Sequence, residues 1–151
     1  MARDEILHLR DARLSLRHRY YYGPDCPMID LDWIVAEYAS RTPAAIFEYK
    51  HASPGGNSRP RENANLDTFR ALATMAGLPA WVAIYRPASW SYKVFPQNAA
   101  ACVLVGVGPG AHRYMTEREY VELLHRVRGV PTPSRVLDGL NATHRPLVDP
   151  D

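Results

Sequence analysis

Cysteine is scarce in this chain, with only Cys26 and Cys102 among 151 residues, and neither belongs to a CxxC pair or a Cys/His cluster. That spacing gives no support to a zinc site and reads as two free thiols. Long apolar runs are missing too: nothing approaches the ~18 to 20 residues a membrane span requires. The start, Met1-Ala2-Arg3-Asp4-Glu5, lacks the basic-then-apolar pattern of a secretory leader, so a soluble intracellular protein is the expectation. No internal repeat is present. Lysine is the other rarity, since 16 of the 18 basic residues are Arg and only Lys50 and Lys93 are Lys. A bias of this kind reflects a GC-rich genome more than chemistry, and it makes each lysine informative.

What is there suits one ordinary α/β domain. With 46% hydrophobic and 23% charged residues, a chain of this size can bury roughly two-thirds of its unfolded surface, which excludes wholesale disorder. The net charge of +2 permits a nucleic-acid partner without demanding one. Residues 1–130 read as a single domain, and residues 131–151, with Pro131, Pro133, Pro146 and Pro150, as a C-terminal arm, docked or partly disordered.

Periodicity predicts a helix within Asp4 to Leu16, and the aromatic run His18 to Tyr22 before Gly23-Pro24 reads as a short strand or extended segment. The runs Met28 to Tyr38 and Ala44 to Lys50, both rich in β-branched and aromatic residues and separated by Ala39-Ser40-Arg41-Thr42-Pro43, predict a hairpin turning near Arg41 and Thr42. His51 to Arg61, with two Pro and two Gly, is a loop. A helix is expected at Ala64 to Ala76, with Leu66, Phe69, Leu72, Ala73 and Ala76 inward and Gly77 as its stop. Strands are expected at Pro79 to Tyr85 and Ser91 to Phe95. Ala99 to Val107 reads as a buried strand carrying Cys102, its alanines leaving a helix open. Thr116-Glu117-Arg118-Glu119 is a capping box that opens a helix over Glu117 to Arg128. Gly106 to Gly110 lacks the ending of a phosphate loop and reads as a plain turn.

The chemistry is concentrated in the hairpin. Side chains alternate along a strand, so Asp30 and Asp32 share one face, and Glu48 and Lys50 share a face of the returning strand. With the turn near Arg41 and Thr42, positions 32 to 36 face positions 47 to 51, which brings Asp32 near Glu48 and Lys50. Such a cluster is costly among apolar strands unless it is paired or binds a cation. Carboxylate oxygens with a backbone carbonyl suit Mg²⁺ or Mn²⁺. Lys50 has a compact ammonium suited to orienting or deprotonating a water, or to holding charge on a phosphoryl oxygen.

The segments Ile29-Asp30-Leu31-Asp32-Trp33 and Ile46-Phe47-Glu48-Tyr49-Lys50, followed by a helix and two strands, resemble the PD-(D/E)xK nuclease superfamily, and are similar in style to small phage and actinobacterial nuclease-like proteins. The resemblance covers roughly Asp4 to Phe95, with Glu48-Tyr49-Lys50 as the ExK element. No Pro directly precedes the acid: Pro27 is followed by Met28 and Ile29 before Asp30. The resemblance implies a restriction-endonuclease-like core, α-β-β-β-α-β, with a mixed central sheet flanked by helices and a C-terminal helix. It implies a metal-dependent DNA endonuclease or nickase of the cytoplasm of a bacterial cell or phage-infected host. Asp32, Asp30, Glu48 and the Tyr49 carbonyl would be metal ligands and Lys50 the activating cation. Either Asp30 or Asp32 fits the first acidic position, and Asp32 lies closer to Glu48 in the hairpin.

A triplet of Glu, any residue and Lys is by itself commonly a solvated face with a surface ion pair; here the combination carries the weight. A polyanion approaching three carboxylates needs compensating cations, for which Arg59 and Arg61 in the loop after Lys50, and Arg17 and Arg19 before the first Asp, are the candidates. The competing expectation is a module that keeps the fold, cleaves nothing and binds nucleic acid or a protein partner. A homodimer would let two sites cut two strands.

Overall fold

The computed structural model describes residues 17, 31–52 and 59–142. Arg17 belongs to the unit Met1–Asp30 and is an exposed residue in helical conformation, taken by itself; the sheet lies in the unit Leu31–Asp151. The expected N-terminal helix and the strand at His18 to Tyr22 fall outside the described residues.

The expected hairpin forms from β1, Trp33–Glu37, and β2, Thr42–His51. Its register differs from the sequence reading. Trp33 pairs with Phe47, Ile34 with Ile46 and Val35 with Ala45, and then the register shifts so that Ala36 meets Pro43 and Glu37 meets Thr42. Ala44 is the extra residue of this bulge, and Arg41 at φ 57° closes the turn. A bulge adds one unpaired residue to one strand, which hydrophobic pattern alone does not reveal. Leu31 and Asp32, expected in the strand, precede β1, and residues 28–30 of the expected run lie outside the described residues.

After β2 the chain crosses the sheet through α1, Ala64–Ala76. Asn63 caps its start, its side chain accepting from the Leu66 amide at 3.0 Å, and Gly77 at φ 67° ends it, a conformation that glycine adopts without penalty. Leu66, Phe69 and Ala73 are buried, whereas Leu72 and Ala76, expected on the same face, are exposed. Strand β3, Ala80–Arg86, then pairs in parallel with β2, and β4, Ser91–Pro96, pairs antiparallel with β3.

The segment left open between strand and helix is the helix α2, Ala99–Val105. Asn98 decides it. Its Oδ1 accepts from the Ala101 amide at 3.0 Å and its Nδ2 donates to the Leu78 carbonyl at 2.7 Å, so one side chain caps α2 and ties it to the entry of β3. Cys102 therefore sits half-buried on a helix rather than on a strand. A short β5, Arg113–Met115, pairs with β4. It precedes α3, Glu117–Val127, which has the expected capping box between Thr116 and Glu119. Ser134–Ala142 forms a further helix, α4, within the segment read as an arm.

Among the described residues five strands make one mixed sheet in the order β1-β2-β3-β4-β5. One face carries Ile46, Val82, Ile84 and Phe95 against Leu66, Phe69 and Ala73 of α1. The other carries Ala45, Phe47, Trp81 and Val94 against Val105 of α2 and Tyr120 and Leu123 of α3. Full burial of a side chain such as Phe69 contributes about 1.5–3 kcal/mol, so Phe69→Ala is the single change that would most loosen α1. Among the described residues no helix is long and apolar enough to cross a membrane.

Candidate functional site

Strand β2 leaves the core towards its C-terminal end, and there its polar side chains begin. Ile46 is buried, Glu48 next on the same face keeps 28% of its side chain exposed, and Lys50 keeps 54%. The Lys50 ammonium and the Glu48 carboxylate form an ion pair. Both point to the α1 face, because Glu48 is level with Val82 and Lys50 with Ile84 in the parallel ladder.

Asp32 immediately precedes β1, just outside its ladder. The partner of Trp33 is Phe47, so the same register carried one step beyond the ladder would set Asp32 level with Glu48. Alternation puts it on the face of Ile34, and Ile34 pairs with Ile46. Asp32 is exposed. Asp30 lies outside the described residues, as does Arg19.

The backbone of Tyr49 follows from the ladder. The amides of Ile46 and Ala52 donate to carbonyls of the segment that includes β3, at 3.1 and 2.8 Å. Since the N–H and C=O of one strand residue point to the same side, the even-numbered residues of β2 bond to β3. Tyr49 thus turns its carbonyl to the β1 side, beyond the last ladder pair at Trp33, where Asp32 lies. Its side chain goes to the opposite face, among Phe47, Tyr85, Tyr92 and Tyr120. Burial pushes the Tyr49 phenol upward, tempered by a hydrogen bond with Tyr120; burial likewise raises Tyr120, and raises Tyr92 to about 12. These rings are structural, and the Trp81 Nε1 donates to the Tyr120 hydroxyl at 3.1 Å.

Of the candidate arginines, Arg59 and Arg61 belong to the unit that holds the sheet. Arg59 is exposed and holds its guanidinium 5.9 Å from the centroid of Phe95 on β4, two strands away from Glu48. Arg61 is exposed on the approach to α1. Among the described residues no three His, Cys, Asp or Glu side chains gather as a metal-ligand set.

Sequence reasoning missed a second group on the same face. Lys93 pairs with Ile84 on one side and Tyr114 on the other, is only 8% exposed, and holds its ammonium 5.3 Å from the Phe95 centroid and 5.4 Å from that of Tyr114. His112 packs on the same two rings, at 5.0 and 5.1 Å. The scarcity of lysine was the available signal, but Lys93 stands in no motif, and β5 is too short to show a period.

Compared with protein-family models, with curated proteins and with solved structures, the chain matches none.

Proposed function

We propose that this protein is a metal-dependent DNA nuclease of the PD-(D/E)xK type, an endonuclease or nickase, whose site is Asp32, Glu48 and Lys50. The observation that carries the reading is the placement of the Glu48 and Lys50 pair. It stands where β2 leaves the apolar core, between the hairpin strand that Asp32 directly precedes and a parallel strand reached through α1. The order hairpin, helix, strand agrees with the later part of the α-β-β-β-α-β order that the resemblance implies.

The donor set fits a hard divalent cation, being two carboxylates and a strand carbonyl turned to their side. Asp32, Glu48 and the Tyr49 carbonyl, with Asp30, would hold Mg²⁺ or Mn²⁺, which when bound supplies neutralising charge for a phosphate and a more acidic water. The chain's own contribution is positional. Lys50 is exposed enough to exchange its bond to Glu48 for one to a phosphoryl oxygen or a water. Arg59 and Arg61 offer charge to the flanking phosphates of DNA. Cleavage of supercoiled plasmid in Mg²⁺ or Mn²⁺, lost with EDTA and in Lys50→Ala and Glu48→Gln, is the expected result; undiminished cleavage by both variants would refute the assignment.

The ion pair of Lys50 with Glu48 favours a second reading, a module that binds nucleic acid or a protein without cutting. Calorimetric titration with Mn²⁺ separates the two. Heat of binding that disappears in Glu48→Ala supports the nuclease, and DNA binding indifferent to Mn²⁺ supports the module.

A further inference from the structure

Phe95 and Tyr114 lie on the α1 face of the sheet, and three cationic or ionisable side chains surround them. Lys93 and Arg59 hold positive charge against the rings, and the imidazole of His112 packs on both. Tyr114 is 64% exposed, and Arg59 is exposed as well. An exposed ring beside cations is the combination that single-stranded nucleic acid requires, because an unpaired base offers a π-face for stacking while its phosphate takes the charge. A closed duplex offers no such face except at its ends.

A cavity of about 390 Å³ adjoins the group, lined in part by Arg59, Phe95, Gln97, Pro109 and Gly110. It falls in the range that accommodates a small molecule, and so has room for one splayed base. Glu62 also lines it, with its carboxylate engaged by Arg70 at 2.6 and 2.8 Å. Burial and the nearby charges of Lys93 and Arg59 hold the His112 imidazolium below its ordinary range, as expected where positive potential accumulates.

Lys50 and Tyr114 belong to one transverse row, through Ile84 and Lys93. Three strand spacings separate them, about 14 Å, which corresponds to roughly four nucleotides at the stacked rise of one strand. We infer that the patch formed by Tyr114, His112, Arg59 and Lys93 binds an unpaired segment of the nucleic-acid substrate, a few nucleotides from the phosphate held at Glu48 and Lys50. The inference rests on the proposed nuclease site and assigns its substrate class as DNA with a single-stranded flank.

Fluorescence anisotropy of a labelled 12-nucleotide oligo(dT) with full-length Glu48→Gln protein tests it. Tighter binding than to a blunt 12-base-pair duplex is expected, weakened about tenfold by Tyr114→Ala and preserved by Tyr114→Phe. Arg59→Ala should reduce the slope of log affinity against log salt by about 0.7. The inference is overturned if Tyr114→Ala leaves binding unchanged, if an abasic oligomer of the same length binds equally well, or if polyglutamate displaces the oligomer as effectively as unlabelled oligo(dT) does. Cleavage assays on forked and blunt duplexes in Mn²⁺ keep the two claims apart. Stacking-dependent binding without cleavage of either substrate would refute the nuclease and leave the patch standing, whereas plasmid cleavage with oligo(dT) binding indifferent to Tyr114→Ala would refute only the patch.

Discussion

Lys50 and Lys93, the two lysines of the chain, flank Ile84 in a single row across the sheet and point to the same face. Their surroundings differ: Lys50 is half-exposed beside Glu48, while Lys93 is buried with its ammonium near two aromatic rings. Lys50→Ala should therefore change stability by no more than about 0.5 kcal/mol, as exposed substitutions do, while abolishing the proposed nuclease turnover. Lys93→Ala removes a packed aliphatic stem and should cost about 1–3 kcal/mol. Urea unfolding of both variants alongside plasmid cleavage checks the contrast.

The tyrosine cluster sets an alkaline limit. Tyr49, Tyr92 and Tyr120 all have folded values raised by burial, Tyr92 to about 12, against an ordinary 10.0. A group raised on folding binds its proton more tightly in the native state, so stability is complete below pH 10 and falls as pH rises from 10 through 12. Tyrosinate absorbance at 295 nm should rise together with loss of circular dichroism over that window. Full titration of these phenols near pH 10 in a still-folded protein would contradict it.

On the acid side His112 behaves oppositely, since burial, Lys93 and Arg59 lower it from 6.5. The unfolded chain then binds more protons, and stability declines as pH falls below 6.5. In His112→Gln the decline between pH 6.5 and 5.5 should be shallower. Thermal melts at half-unit intervals measure it. Adding oligo(dT) should raise the His112 value towards or above 6.5, visible in the imidazole proton shifts.

Asn98 and Asn63 are both helix caps with unequal burdens. Asn63 serves the start of α1, whereas Asn98 caps α2 and also holds the Leu78 carbonyl and the Ala80 amide. Asn63→Ala should cost about 1 kcal/mol and Asn98→Ala about 2 kcal/mol, because a half-buried carbonyl also loses its donor. Equal losses in denaturant melts would mean that the tether to β3 contributes nothing.

Much of the hairpin was legible because both of its runs are rich in β-branched and aromatic residues and a breaker-rich segment separates them, and the shared face of Glu48 and Lys50 followed from strand alternation. The register was not, because a turn with Arg41 in the left-handed region and a bulge at Ala44 move the pairing without disturbing the hydrophobic pattern. Ala99 to Val105 could not be settled from composition, since seven apolar residues fit a buried strand or a buried helix, and the deciding residue, Asn98, lies just outside the run. The group around Lys93 was invisible for another reason: Arg59, Lys93 and the segment of His112 and Tyr114 are distant from one another in sequence and meet only through the pairing of β4 with β5 and the path of the chain into α1.

Strand β2 acquires its two neighbours by different routes. Pairing with β1 needs only a tight turn and forms on a microsecond scale, about 1–10 μs for an isolated hairpin. Parallel pairing with β3 requires the whole passage through α1 to be closed first, which places it among the slow, non-local events of folding. A peptide ending before α1 would hold Asp32, Glu48 and Lys50 in one covalent segment yet lack the surface on which β2 is ordered, and two strands alone are marginal in water. The smallest fragment able to display the site must therefore extend through Arg86.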